Sequence, residues 1–246
     1  MRIKTFLSFA ALILILAGCA AINMNHYQDG KSLGKGKSDA SFGVGSGLFF
    51  ETDTSQLDED DYEVETKMGE SSLFLSVAGR VGVTSKFDFG GEIFTTIGSS
   101  GFKVFGKYAF TDSLSKWGVA LMPIFGFSFP WFEDDEGDNF ATDEINFVTR
   151  SLILEFVLPA SYHPSSHFAL AFGPKFYLHH NYISQTSGRS VEFHRTGTRT
   201  YLSPAGFIGL HFKKFRFDTS IVYRDRKVWT PFVGINVSSS SIISLF

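Results

Sequence analysis

The chain has 246 residues, 22 basic against 25 acidic, with 29 phenylalanines, a single cysteine and a net charge of −3. This balance lacks the basic footprint of a nucleic-acid binder, and one cysteine excludes an internal disulfide framework. Aromatic residues make up 16% of the chain, yet beyond residue 18 no apolar run is long enough for a membrane helix, so the apolar residues are dispersed at the short period of β-strands.

The chain opens MRIKTFLSFAALILILAGCAA. Arg2 and Lys4 precede an apolar run, Phe6 to Leu16, that is too short for a typical bilayer-spanning helix and ends in small residues. Residues 1–18 therefore read as an export signal. Leu16-Ala17-Gly18-Cys19 resembles the lipobox of bacterial lipoproteins. The resemblance implies that Cys19 is acylated, with palmitate among the expected chains, and heads the mature protein. Ala20 and Ala21 follow it, with no aspartate of the kind that resembles an inner-membrane retention signal, which favours an outer-membrane destination. Without residues 1–18 the chain keeps 20 basic and 25 acidic residues, a net charge of −5. Residues 19–39, polar and glycine-rich from Asn23 to Asp39, read as the acylated N-terminus and a flexible tether.

From residue 40 to 246 the pattern changes to a β domain. Ten segments alternate bulky apolar residues with small or polar ones: 40–51, 71–83, 87–98, 101–111, 116–130, 146–161, 167–184, 199–212, 215–224 and 227–238. No apolar stripe of helical period lies between them, which argues against crossover helices and a parallel sheet. Three odd-numbered connections are long (52–70, 131–145 and 185–198), whereas every even-numbered one is tight. An antiparallel meander built this way has loops at one end and turns at the other. With an even strand count and Cys19 in the inner leaflet, both chain ends are expected on the periplasmic side and the long loops outside.

Parity across the turns separates two faces. With Thr84-Ser85-Lys86 as a three-residue loop, Arg80 and Asp88 share a face; with Ser99-Ser100 as a two-residue loop, Glu92 stands opposite Lys107. One face is bulky and apolar, with Phe42, Val77, Phe89, Ile93, Tyr108, Trp117, Phe125, Phe156, Phe172, Ile208, Phe217 and Val233. The other combines glycine and alanine with Arg80, Asp88, Glu92, Lys103, Lys107, Glu155, Lys175, Arg216 and Asp218. Small residues save space where side chains converge, and ions in a narrow interior need partners. The second face is therefore expected to line a lumen with a charge network, and the first to meet lipid. A soluble barrel has the same alternation with the faces exchanged.

Segments of this length match a tilted bilayer span. Residues 40–246 resemble the bacterial outer-membrane β-barrel superfamily, which implies an all-β, antiparallel up-and-down transmembrane β-barrel, here of ten strands with eight or twelve as alternatives. The resemblance also implies contact with membrane lipid and insertion by the outer-membrane assembly machinery, and Phe246 is similar to the terminal aromatic residue that such proteins offer to it. A ten-strand lumen filled by long side chains is too thin for an open porin channel. The expected role is structural, surface-binding or that of a narrow small-solute pore, without cofactor, in an outer membrane with the long loops outward. The alternatives are a lipid-tethered soluble barrel that binds an apolar ligand, and an outer-membrane lipid-modifying enzyme.

Three features bear on chemistry. The acidic stretches LDEDDYEVE and WFEDDEGDNFATDE lack the spacing of a calcium-binding EF-hand loop and read as repelling surface loops open to an extracellular ligand. The connection QTSGRSVEFHRTGT is basic, with Arg189, Arg195 and Arg199 in or beside it, and would be attracted to them. His163-Pro164-Ser165 has the His-x-Ser order that resembles outer-membrane lipid deacylases and phospholipases; a tight turn explains the Pro and Ser, no acid is placed to orient His163, and no enzyme is expected. His179 and His180 point to opposite faces of a strand, so only one of them can join His194 at a metal, and none is expected.

Overall fold

The computed structural model describes residues 21–23, 28–58, 61–96, 99–112, 114–130, 145–187, 195–212, 215–223 and 229–238. The sites expected at Cys19 and Phe246, and the acidic connection at 131–144, lie outside the described residues. In chain order run β1 (Ala21–Asn23), β2 (Ser38–Asp58), β3 (Asp61–Gly82), β4 (Phe87–Thr96), β5 (Ser99–Ala109) and β6 (Trp117–Pro130). They are followed by β7 (Ile145–Val157), β8 (Ala160–Ser165), β9 (Phe168–Ser187), β10 (Arg195–Phe212), β11 (Phe215–Tyr223) and β12 (Trp229–Ser238).

Neighbouring strands pair antiparallel from β3 through β12, β12 pairs with β2, and β2 pairs back on β3, so the sheet closes into a barrel. β7 and β8 form one stave, since both pair with β6 and with β9. The break between them falls at Leu158-Pro159, opposite Pro174, where two prolines supply no N–H to the ladder. Register nevertheless continues through it: Leu158 N donates to Pro174 O at 3.1 Å and Ala120 N to Pro159 O at 2.9 Å. The wall thus has ten staves, and the alternating segment 146–161 is one of them.

Three connections differ from the sequence reading, and the simplest is 185–198, where Gln185–Ser187 extend β9 and Arg195–Thr198 open β10, paired as Gln185↔Arg195. The stretch 52–70 is not a loop: β2 and β3 stay paired from Phe50↔Met68 to Asp58↔Asp61 and form a hairpin that outreaches the other staves. Residues of high β propensity there (Thr52, Thr54, Tyr62, Val64 and Thr66) prevail over the acidic composition that suggested a loop. The tight connection between β4 and β5 sits at 97–98 instead of 99–100, so Glu92 pairs with Lys103 and Asp88 with Lys107. Hydroxyls hold this register: Thr96 Oγ1 and Ser99 Oγ lie 2.8 Å apart, and Ser100 Oγ donates to Thr95 Oγ1 at 3.2 Å. The turn moved by two residues, so every side chain keeps its face.

The wall is apolar outside and charged inside. Ile93 is 69% exposed and Phe125 45%, whereas Asp88 and Lys107 are fully buried. Aromatic pairs mark both rims. Trp117–Tyr162, Tyr108–Phe110 and Phe168–Phe212 stand at the turn end, and Tyr223–Trp229 at the loop end. Outward aromatic girdles flanking an apolar band are the exterior of a transmembrane barrel. The interior is packed by Phe94, Tyr177 and Phe232 in one cluster and by Phe105, Met122 and Phe207 in another. Two interior glycines make room for these rings: a Cβ on Gly90 would come within 2.5 Å of Phe105 Cζ, and one on Gly101 within 2.3 Å of Phe94 Cζ.

Residues 28–37 depart furthest from expectation. The segment expected to be a flexible tether is folded into the turn end of the lumen, and its polar composition serves contact with a charged wall. β1 pairs with β2 high on the wall, Ala21↔Phe49 to Asn23↔Gly47.

Candidate functional site

Residues 28–37, here called the strap, and the charged side chains around them form the most densely bonded part of the lumen. The strap joins β2 through a turn in which Gly34 and Gly36 both have positive φ (88° and 76°), a conformation that side chains disfavour. Gly36 N donates to Gly82 O and Gly82 N to Lys37 O, each at 2.8 Å, which fixes the strap to the end of β3. Gly82 must be bare, because a Cβ there would lie 2.0 Å from Gly34 O.

Asp88 is the main anchor. Its carboxylate accepts Ser32 Oγ at 2.6 Å and Leu33 N at 3.1 Å, and pairs with Lys107 at 3.3 Å and Arg80 at 3.8 Å. Lys107 Nζ donates to Lys31 O at 2.5 Å and stands 3.8 Å from Asp29. Gln28 Oε1 accepts Arg80 Nη1 at 2.5 Å. Across the lumen Gly30 N donates to Ser161 Oγ at 3.0 Å, and the strap backbone rests directly on Gly118. Burial alone would raise the Asp29 carboxyl, but Lys107 and Arg80 outweigh it and hold it well below the usual carboxylate range. A lowered carboxyl contributes fully above its ordinary value of 3.8 and loses that contribution progressively as pH falls from there through the folded value. The strap is therefore expected to remain protease-resistant at pH 4.

Three further groups surround this centre. Asp39 pairs with Arg216 at 2.7 Å and Arg80 at 3.4 Å and accepts Ser238 Oγ at 2.5 Å, tying β2, β3, β11 and β12 together. Lys103 and Glu155 pair at 2.6 Å, both buried, with Glu92 beside Lys103 in register. Lys175 donates to Ser220 Oγ at 2.8 Å and stands 4.9 Å from the centre of the Phe207 ring. Asp218 lies 3.4 Å from His211 Nε2 and packs over Gly209.

Seven of the nine charged residues singled out in the sequence are buried, and Glu92 and Arg216 are half-buried. Arg80, Asp88 and Lys107 converge on the strap, whereas Lys103 pairs with Glu155, Lys175 with Ser220, and Asp218 with His211. Asp39 was missed because the first alternating segment was begun at residue 40, two residues after the strand starts at Ser38. Its place two residues before Ser41, on the small-residue face, is the signal that identifies it. Asp29 and Gln28 carry no period that marks them.

The His-x-Ser pair takes another form. His163 Nε2 is 2.9 Å from Ser161 Oγ and 4.0 Å from Asp29, whereas Ser165 accepts the His167 N–H at 3.3 Å. Serine and carboxylate thus both approach the same nitrogen, not opposite sides of the ring as a catalytic triad requires, and Ser161 is fully buried. His179 faces the lumen and His180 the exterior, bonded to Thr200 at 2.8 Å; His194 lies outside the described residues. Among the described residues no group of three or more His, Cys, Asp or Glu side chains is placed to hold a metal.

Close packing at Gly118 gives a direct test. A Cβ there would stand 2.7 Å from Ser161 Oγ and 2.8 Å from Gly30 C. Gly118→Val is expected to lift the strap at a cost of about 1–3 kcal/mol. Limited proteolysis should then cut within residues 28–37 while the barrel keeps its heat-modifiable gel migration.

No family model and no curated protein matches the chain. Among solved structures it is similar to the attachment invasion locus protein Ail of Yersinia pestis, at 16% identity over 83% of this chain and 99% of that one, with a TM-score of 0.35. Ail in complex with the heparin analogue sucrose octasulfate matches at 12% identity over 83% and 99%, with a TM-score of 0.31. The backbone structure of Ail in a phospholipid bilayer nanodisc matches at 17% over 82% and 99%, with a TM-score of 0.27. At these scores the barrel assignment stands on the chain's own strand ladders.

Proposed function

We propose that this protein is an integral outer-membrane barrel that acts through its loop end, as a structural or surface-binding element, with a lumen closed by its own strap. The observation that carries this reading is the wall itself: aromatic and branched residues outside, paired ions and small residues inside. A water-soluble carrier would reverse the two. The strap and the two interior clusters occupy the path that a solute would take, which favours surface binding over a pore. The export signal at 1–18 and acylation of Cys19 belong to the same proposal and are supported by the lipobox resemblance, and delivery by the assembly machinery by the resemblance of residues 40–246 to outer-membrane barrels.

Fractionation, conductance and a wall substitution test it. The protein should fractionate with the outer membrane, change gel mobility on heating and stay membrane-bound after its N-terminal residues are clipped off. A barrel released into water by clipping would instead be a tethered soluble domain. Steady conductance of the purified protein in planar bilayers would replace the closed lumen with a pore. Phe125→Arg, on the outer face of β6, is expected to cost about 2–4 kcal/mol of folding stability if that face meets hydrocarbon. The same change on a water-facing wall would be nearly neutral.

A further inference from the structure

We infer that the N-terminal chain descends through the lumen, with Ala21–Asn23 toward the loop end and residues 28–36 at the turn end, so that Ala21 stands on the loop side. The inference rests on the reading of the barrel as an outer-membrane protein with its loops outward. Two separate contacts give the same direction. At the turn end, the strap descends from Gln28, beside Arg80, to Gly36, bonded to Gly82, before β2 begins its ascent. Higher up, β1 is antiparallel to β2, so it also descends, from the level of Phe49 to that of Gly47.

The interval between the two contacts is nearly the whole membrane. From Ser38 to Phe49 is eleven residues of β2. At a rise of ~3.3 Å and a tilt of ~45°, these climb about 25 Å, the height of the apolar band of such barrels. β1 also approaches β5 and β6, which are not neighbours of β2 in the sheet, so it lies on the lumen side of the wall. β12 pairs with β2 only at Ser41–Gly45, and above that level β1 takes the vacated edge at Gly47–Phe49.

On this path Ala21 stands beside the loops, two residues after the Cys19 that the lipobox resemblance marks for acylation.

Asn23→Cys combined with Gly47→Cys tests the path in the full-length chain. Register partners in an antiparallel ladder stand about 4.5–5.5 Å apart at Cα, within disulfide reach. The pair should cross-link in a barrel with normal heat-modifiable migration, and Asn23→Cys with Gly82→Cys should not. A folded barrel without the first cross-link overturns the inference. Labelling of intact cells with a membrane-impermeant maleimide, measured above the wild-type chain, gives the side. Ala21→Cys and the loop-end reference Asp58→Cys should both react before permeabilisation, at rates within about tenfold of each other. Reaction of Asp58→Cys alone overturns the threaded path and leaves the barrel reading intact. Failure of both to react in intact cells overturns the outward-loop reading, and the inference with it.

Discussion

Asp88→Ala is expected to free residues 28–37 from the lumen and to destabilise the barrel by about 3–5 kcal/mol, the scale for breaking a buried charge pair by removing one partner. Asp88 accepts from Ser32 and Leu33 of the strap and faces both Lys107 and Arg80. Its loss leaves two strap donors without their acceptor and two interior cations with less compensation. Two measurements are needed because two effects are expected: protease cleavage within 28–37 for undocking, and the temperature of the gel-mobility change for stability. Asp88→Asn separates them. It keeps an acceptor for the strap but removes the charge, so it should lose stability while protecting the strap better than alanine does. Equal cleavage in both variants would show that docking depends on the charge and not on the acceptor.

Lys103→Ala is expected to cost a similar amount, about 3–5 kcal/mol, without any change at the strap. Lys103 and Glu155 pair at 2.6 Å across β5 and β7, which are not adjacent staves, so their contact spans the interior and not a ladder. Truncation leaves Glu155 buried beside its register partner Tyr177, where water cannot replace the ammonium. Replacing both partners by apolar residues of similar size, Lys103→Met with Glu155→Leu, should recover most of the loss, since neither ion then remains uncompensated. Urea unfolding in micelles of the wild type, both single variants and the double variant gives the coupling directly. A double variant as weak as Lys103→Ala would mean that the interior needs a charge there for another partner, with Glu92 the first to examine because it is the register neighbour of Lys103.

Most of the wall was legible because a strand has a period of two and a barrel has two different surroundings. Once the turns at 84–86 and near 97–100 were assigned, each residue's face followed, and a two-residue displacement of the second turn changed partners without changing faces. That is why Glu92 was matched to Lys107 in place of Lys103 although both lysines were correctly turned inward. Leu158-Pro159 likewise left the stave count intact, because the register is carried past two prolines by neighbouring backbone groups. The acidic hairpin misled for a different reason. Composition reports solvent exposure, and a strand that outreaches its neighbours is exposed while still paired. The strap was illegible because nothing periodic marks it. Gln28, Gly30 and Ser32 acquire meaning only from Arg80, Ser161 and Asp88, which lie 52 to 131 residues away in the chain.

The ladder between β2 and β12 has five register pairs, against eighteen between β9 and β10. It is also the rung that joins the first stave to the last, with the greatest separation along the chain. Such a seam is the natural last step of ring formation, because non-local pairing repays its entropy only late. Residues 28–37 are enclosed by that ring and are bonded to staves on opposite sides of it. If already in place when the final rungs zip, they hold the two arcs at the spacing that closure requires. The segment then serves as a template around which the cylinder is wrapped, and its removal is expected to slow closure as well as empty the interior.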